Sequence, residues 1–100
     1  MGKVIFSIKY GVLPEKRNDY LVVVKELKSL VKAEGLESYS VYEEKNKQNN
    51  FSEVYIFDSK ESYENFDDIE DERIDVLMTK LSDMIQQQTT HYSTMYEVVE

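Results

Sequence analysis

Two stretches with helical spacing restrict this chain most, because of where they stand among its strand-like stretches. Residues 14–35, PEKRNDYLVVVKELKSLVKAEG, place Tyr20, Val23, Val24, Leu27, Leu30 and Val31 at three- and four-residue intervals. That spacing gathers them on one stripe of a helix, with Lys25, Glu26, Lys28, Ser29 and Lys32 toward water. Pro14 suits a first turn, whose N–H needs no partner, and Gly35 is the expected left-handed cap. The second stretch, DDIEDERIDVLMTKLSDMIQQQ, repeats the pattern with Ile74, Leu77, Met78, Leu81 and Ile85.

Strand-like segments bracket and separate these helices. KVIFSIKYGVL (3–13) alternates Val4, Phe6, Ile8 and Tyr10 with Lys3, Ile5, Ser7 and Lys9. LESYSVYEE (36–44) sets Tyr39 and Val41 on one side and Ser38, Ser40 and Tyr42 on the other. The polar run KNKQNN (45–50) reads as a hairpin turn into a strand at 53–57. There Asp58 or Ser59 caps a short helix, with Glu61 as a capping-box partner and Tyr63 and Phe66 directed inward. Whether that helix runs into the second long one or breaks near Asp67-Asp68 stays open at this point. Thr89-Thr90 lead into a last strand, HYSTMYEVV.

Strand, helix, strand, strand, helix, strand predicts one α+β domain over residues 1–100. It is the ferredoxin-like βαββαβ arrangement, a four-stranded antiparallel sheet with both helices on one face. The opposite face is then bare. Yet Val54-Tyr55-Ile56-Phe57 and Val4–Ile8 carry apolar side chains on both faces, and large exposed apolar patches mark interfaces. A second copy of the chain is the expected cover, with Val54 and Ile56 in a homodimer interface, since twofold association needs one self-complementary patch.

Charge narrows the partners. The first fifty residues carry 9 basic and 7 acidic side chains and the last fifty carry 3 and 13, for a net charge of −8. An acidic chain is repelled by phosphate backbones and anionic membranes, so neither nucleic acid nor a membrane is an expected partner. There are no cysteines, hence no disulfides or thiolate chemistry. No secretory signal and no membrane-spanning run is read in the sequence, and Phe6 stands where myristoylation needs Ser or Thr. A cytoplasmic location is the expectation.

The residues resemble a family. A Pro-initiated, Gly-ended first helix (Pro14, Gly35), the strand Leu36-Glu-Ser-Tyr-Ser-Val-Tyr42, and the step Tyr55-Ile-Phe-Asp-Ser-Lys-Glu-Ser-Tyr-Glu-Asn-Phe66 are similar to those of the antibiotic-biosynthesis monooxygenase-like dimeric α+β barrel proteins. The similarity spans essentially the whole chain. It implies a dimeric α+β barrel and, for some members, cofactor-independent oxygenation of quinols or polycyclic aromatics. Other members degrade haem with an Asn, a Trp and a His. The corresponding positions here hold Ser7, Phe66 and Val76, so the resemblance implies no axial haem ligand, and no cofactor is expected. The His that many members carry after the short helix is replaced by the acidic run Asp67-Asp68-Ile69-Glu70-Asp71-Glu72.

Candidate chemistry is sparse. His91, the single histidine, has no partner His for a metal and no fixed carboxylate to orient it. The run Asp67, Asp68, Glu70, Asp71, Glu72 and Asp75 lacks the spacing of a calcium loop and suits a solvated helix start. No nucleophile with its base, phosphate-cradling loop or dinucleotide fingerprint is present. Eight tyrosines and four phenylalanines remain. Most belong in a core or interface. Their functional reading is a sheet–helix pocket of Phe6, Tyr39, Phe57, Tyr63 and Phe66, where an aromatic ligand stacks and Tyr hydroxyls or Ser7 orient it. Two functions stand open: a cofactor-free oxygenase acting on a small aromatic or quinol, its tyrosines positioning or deprotonating the substrate, and a non-catalytic homodimer that binds a small ligand or serves as an interaction module.

Overall fold

A computed structural model of the chain describes residues 2–66 and 71–99. Among these residues run four strands, β1 (Val4–Gly11), β2 (Leu36–Glu43), β3 (Asn50–Phe57) and β4 (His91–Tyr96). Three α-helices stand between them, α1 (Arg17–Leu30), α2 (Lys60–Glu64) and α3 (Glu72–Ser82). All strand pairs are antiparallel, and the sheet order is β2-β3-β1-β4. The fold is therefore α+β and ferredoxin-like, as the order of periodicities predicts.

The first helix begins as expected and ends early. Pro14 opens a 3₁₀ turn, Pro14–Lys16, that leads into α1, and Tyr20, Val23, Val24 and Leu27 are its buried stripe. Tyr20, Leu27, Val4 and Phe57 are among the most deeply buried side chains of the protein, each worth about 1.5–3 kcal/mol of apolar burial. Backbone extension at Val31 stops α1 well before Gly35. Gly35 is thus not the cap but a turn residue ahead of β2. Its φ of +83° favours glycine. Its carbonyl accepts the Asp58 N–H at 2.9 Å, and a Cβ there would collide with the Ser62 side chain. That close approach ties the turn to the start of α2.

Ser59 caps α2, its Oγ accepting the Ser62 N–H at 3.1 Å. Asp58 is satisfied by Ser62 Oγ, not by a capping box with Glu61. Asp71 caps α3 by accepting the Arg73 N–H at 2.9 Å, and Glu72 and Asp75 occupy its first turn, as the positive helix end favours. The question whether α2 runs on or breaks near Asp67-Asp68, with the first three acids of that run, falls outside the described residues. Helix α3 packs on α1, burying Ile74, Leu77 and Leu81. Met78 and Ile85 are partly buried against the core, and Ile85 lies past the helix, bridging Val12. β3 starts three residues earlier than its apolar run suggests, because Asn50, Phe51 and Ser52 pair with the end of β1.

No helix among the described residues is long and apolar enough to cross a membrane.

Candidate functional site

Strand register decides which side chains meet. Beside the helices, one row across the sheet is Tyr39, Tyr55, Phe6 and Thr94, and the next is Val41, Glu53, Ile8 and Tyr92. The open face carries the rows Ser38, Ile56, Ile5, Met95 and Ser40, Val54, Ser7, Ser93. Ser7 therefore stands on the opposite face from Phe6 and cannot share its pocket, since adjacent strand residues point apart. Val54 and Ile56 are half-buried on the open face. His91 is exposed beside Lys9 at the start of β4.

The five aromatic pocket residues do come together. Phe57 meets Phe66 at 5.0 Å and Tyr63 at 5.5 Å between ring centroids, both edge-on. Phe6 lies 6.1 Å from Tyr63. Tyr55 links the group to Tyr39 at 4.8 Å and to Phe6 at 5.7 Å. Phe57 and Tyr39 are buried, whereas Phe6, Tyr63 and Phe66 keep part of their surface open. Phe6 also stacks at 6.3 Å on Tyr92, which is 70% exposed, and Tyr63 Oη bonds Thr94 Oγ1 at 3.1 Å. The half-open side of the cluster therefore faces β1 and β4.

Beneath it lies a group absent from the expected site. Glu53 is 2% exposed. Its Oε1 accepts from Tyr39 Oη at 2.7 Å and its Oε2 from Tyr10 Oη at 2.8 Å. Tyr10 Oη also bonds Tyr20 Oη of α1 at 2.7 Å. Because Tyr10 spends its one proton on Glu53, Tyr20 must be the donor to Tyr10. Three contacts then use three phenolic protons, which satisfies an ionised carboxylate. Burial works the other way and, on balance, pushes the Glu53 carboxyl up from its ordinary range against the pull of the two hydroxyl donors. Burial, with the Glu53 charge beside them, also pushes the phenols of Tyr10, Tyr39 and Tyr55 upward. These tyrosines can donate hydrogen bonds but are poorly suited to taking a proton from a substrate.

Strand periodicity alone assigns Glu53 a face but not its partners. Counting back by two from Phe57 and Tyr55 puts Glu53 and Phe51 on the same buried face. In contrast, Glu43 makes a surface bidentate pair with Arg17 and accepts the Asn49 N–H, which lowers its carboxyl to about 2.

Two clefts border the cluster. One of about 660 Å³ lies between residues 33–34 and α2; it is lined by Glu34, Asp58 and Glu61 among others and shares only Phe66 with the aromatic group. Another of about 370 Å³ follows the β2 edge past Lys28, Lys32 and Tyr39. The three positions aligned with the haem-degrading triad are scattered: Ser7 on the open face, Phe66 among the aromatics, and Val76, 54% exposed, on α3.

No family model matches the chain, and no curated protein matches it by sequence. Solved structures do match in shape. A conserved protein from Methanosarcina mazei Go1 superposes with a TM-score of 0.78 at 19% identity, covering 98% of this chain and 95% of that one. A protein from Caulobacter crescentus CB15, provisionally named an antibiotic biosynthesis monooxygenase, gives 0.78 at 15% identity, covering 99% and 92%. One from Bordetella bronchiseptica with the same provisional name gives 0.75 at 11% identity, covering 99% and 100%. The chain has the ferredoxin-like fold of proteins named antibiotic biosynthesis monooxygenases, so the resemblance drawn from Pro14, Tyr39 and the Tyr55–Phe66 step is met at the level of fold.

Proposed function

We propose that this chain is a cofactor-independent monooxygenase-like protein that acts on a small aromatic or quinol-type substrate held at the helix side of the sheet. The observation that carries this reading is the convergence of Phe6, Tyr55, Phe57, Tyr63 and Phe66 into one connected cluster whose outer members stay half open. Aromatic rings pair by offset or edge-on stacking, and the partly open faces of Phe6, Tyr63 and Phe66 offer that contact to a flat ligand ring. The names of the structural neighbours support an oxygenase over a passive binder.

The chemistry balances without an external reductant. An anthrone methylene and one dioxygen yield a quinone carbonyl and one water; one oxygen atom enters the product, the other leaves as water, and the substrate supplies all the electrons. The protein's part is to bind and orient, to keep bulk water from the ring, and to hold hydroxyl protons where substrate oxygens sit. Oxygen consumption with a panel of quinols and anthrones tests this. The expected result is uptake above the buffer rate; a thermal shift with these compounds but no uptake would reject the enzymatic reading and leave a ligand-binding module.

The reading includes a homodimer through the open face. Ile5, Ile56 and Met95 form an aliphatic row there, and the next row is three small serines around Val54. Small and aliphatic side chains let two such sheets approach closely. Sedimentation of the purified chain is expected to give twice the 11.8 kDa mass of one chain.

A further inference from the structure

We propose that the Tyr55 hydroxyl is the donor that selects the ligand, and that it takes the oxygen of a neutral quinone or quinol in preference to an acidic aromatic. The inference rests on the binding half of the reading above and deepens it.

Tyr55 sits two residues before the end of β3 and is 5% exposed. Its ring is enclosed by Tyr39, Phe6 and Phe66, at 4.8, 5.7 and 5.9 Å. The buried Tyr10, Tyr20 and Tyr39 each place their hydroxyl on a partner. Among the described residues Tyr55 alone of this buried group has none. A buried hydroxyl left without a partner is costly, and such groups in folded proteins are nearly always filled by protein, water or ligand. No fully sealed side-chain polar atom lacks a partner among the described residues, so the Tyr55 oxygen is the end of the residue that remains reachable. The flat, half-open faces of Phe6 and Phe66 beside it suit an aromatic ring.

Two features fix what that ring carries. Burial and the neighbouring Glu53 keep the Tyr55 phenol protonated, so it presents a donor and calls for an oxygen acceptor. Glu53 stands two residues away on the same face of β3, anchored by Tyr10 and Tyr39. A ligand bearing its own negative charge would be brought against that carboxylate in a site of low dielectric, where like charges repel strongly. A quinone carbonyl or quinol hydroxyl avoids the conflict.

Equilibrium dialysis with naphthoquinone, naphthoquinone sulfonate and naphthalene separates the parts. Losing one neutral hydrogen bond at the reference scale of about 0.5–1.5 kcal/mol weakens binding roughly two- to tenfold. Tyr55→Phe should weaken naphthoquinone by that factor, with the thermal midpoint little changed, while the exposed Tyr42→Phe leaves binding unaltered. On the unmutated protein, naphthalene, which lacks the acceptor, should bind weaker by a similar factor, and the sulfonate weaker still. Glu53→Gln should narrow the gap between naphthoquinone and its sulfonate. Equal affinity of Tyr55→Phe and wild type for naphthoquinone overturns the proposal, as does equal binding of the sulfonate. If the affinities follow the prediction but no oxygen is consumed, the ligand site stands and the oxygenase reading falls; oxygen uptake unaffected by Tyr55→Phe gives the converse.

Discussion

The two faces of the sheet are built from the same strands and follow different rules. Toward the helices, β3 presents Phe51, Glu53, Tyr55 and Phe57, all buried; on the other side it presents Ser52, Val54 and Ile56, all half-buried. The helix side uses large rings and joins one carboxylate, Glu53, to the phenols of Tyr10, Tyr39 and Tyr20, with the Tyr55 hydroxyl outside that network. The open side mixes serines and the aliphatic Ile5, Val54 and Ile56 with Tyr42, Lys9 and His91, and among the described residues no comparable buried network joins them. One face is covered by the chain's own helices, whereas the other is the face on which a second copy is proposed to sit. Substitutions on the first should therefore be read in folding stability, and on the second in association.

The largest effect is expected from Phe57→Ala, which empties a nearly fully buried position on the helix side and should cost about 3–5 kcal/mol in denaturant unfolding. Next comes Glu53→Gln, at about 1–3 kcal/mol, because the amide puts an NH2 donor in place of one of the two oxygens that accept from Tyr10 and Tyr39. Its pH dependence has a definite sign. A carboxyl raised on folding contributes stability that is fully present below the unfolded value of 4.5 and is lost as pH rises through the folded value. The stability difference between wild type and Glu53→Gln should accordingly shrink as pH climbs from 4.5. Glu43 behaves oppositely: its contribution is present above 4.5 and fades as pH falls toward about 2, so Glu43→Gln should flatten only the acid limb. On the open face, Ile56→Lys should change unfolding little and convert the sedimenting species to a monomer; a dimer that survives it would break the contrast between the faces. Smallest of all, Lys3→Met removes an exposed pair with Glu37 and should leave the denaturation midpoint unmoved.

The sequence made the element order legible because helical and strand periodicities are strong over long windows, as the stripe Tyr20, Val23, Val24, Leu27 shows. It also placed Tyr63 and Phe66 against Phe57, since a capped helix after β3 has only one way to turn its apolar side. What stayed hidden depended on tertiary context. Glu53 reads as a solvated charge until Tyr10 and Tyr39, 43 and 14 residues away along the chain, bring their hydroxyls to it. Ser7 reads as a neighbour of Phe6 along the chain, while the pleat separates the two. Gly35 announces a positive φ truthfully, but the helix it was expected to cap had already ended at Leu30, where no local signal marks the stop.

The last strand has a consequence of its own. Every residue of β4 is exposed, although six of its positions pair with β1. Its seat in the sheet thus depends on the amide ladder and on surface contacts such as Tyr63 with Thr94 and Lys60 over Tyr96, with almost no interior weight behind them. In deuterated solvent those amides should exchange well ahead of the β1–β3 pair, and the polypeptide should fray from this margin inward, baring Phe6 and Ile8 long before the aromatic interior loosens.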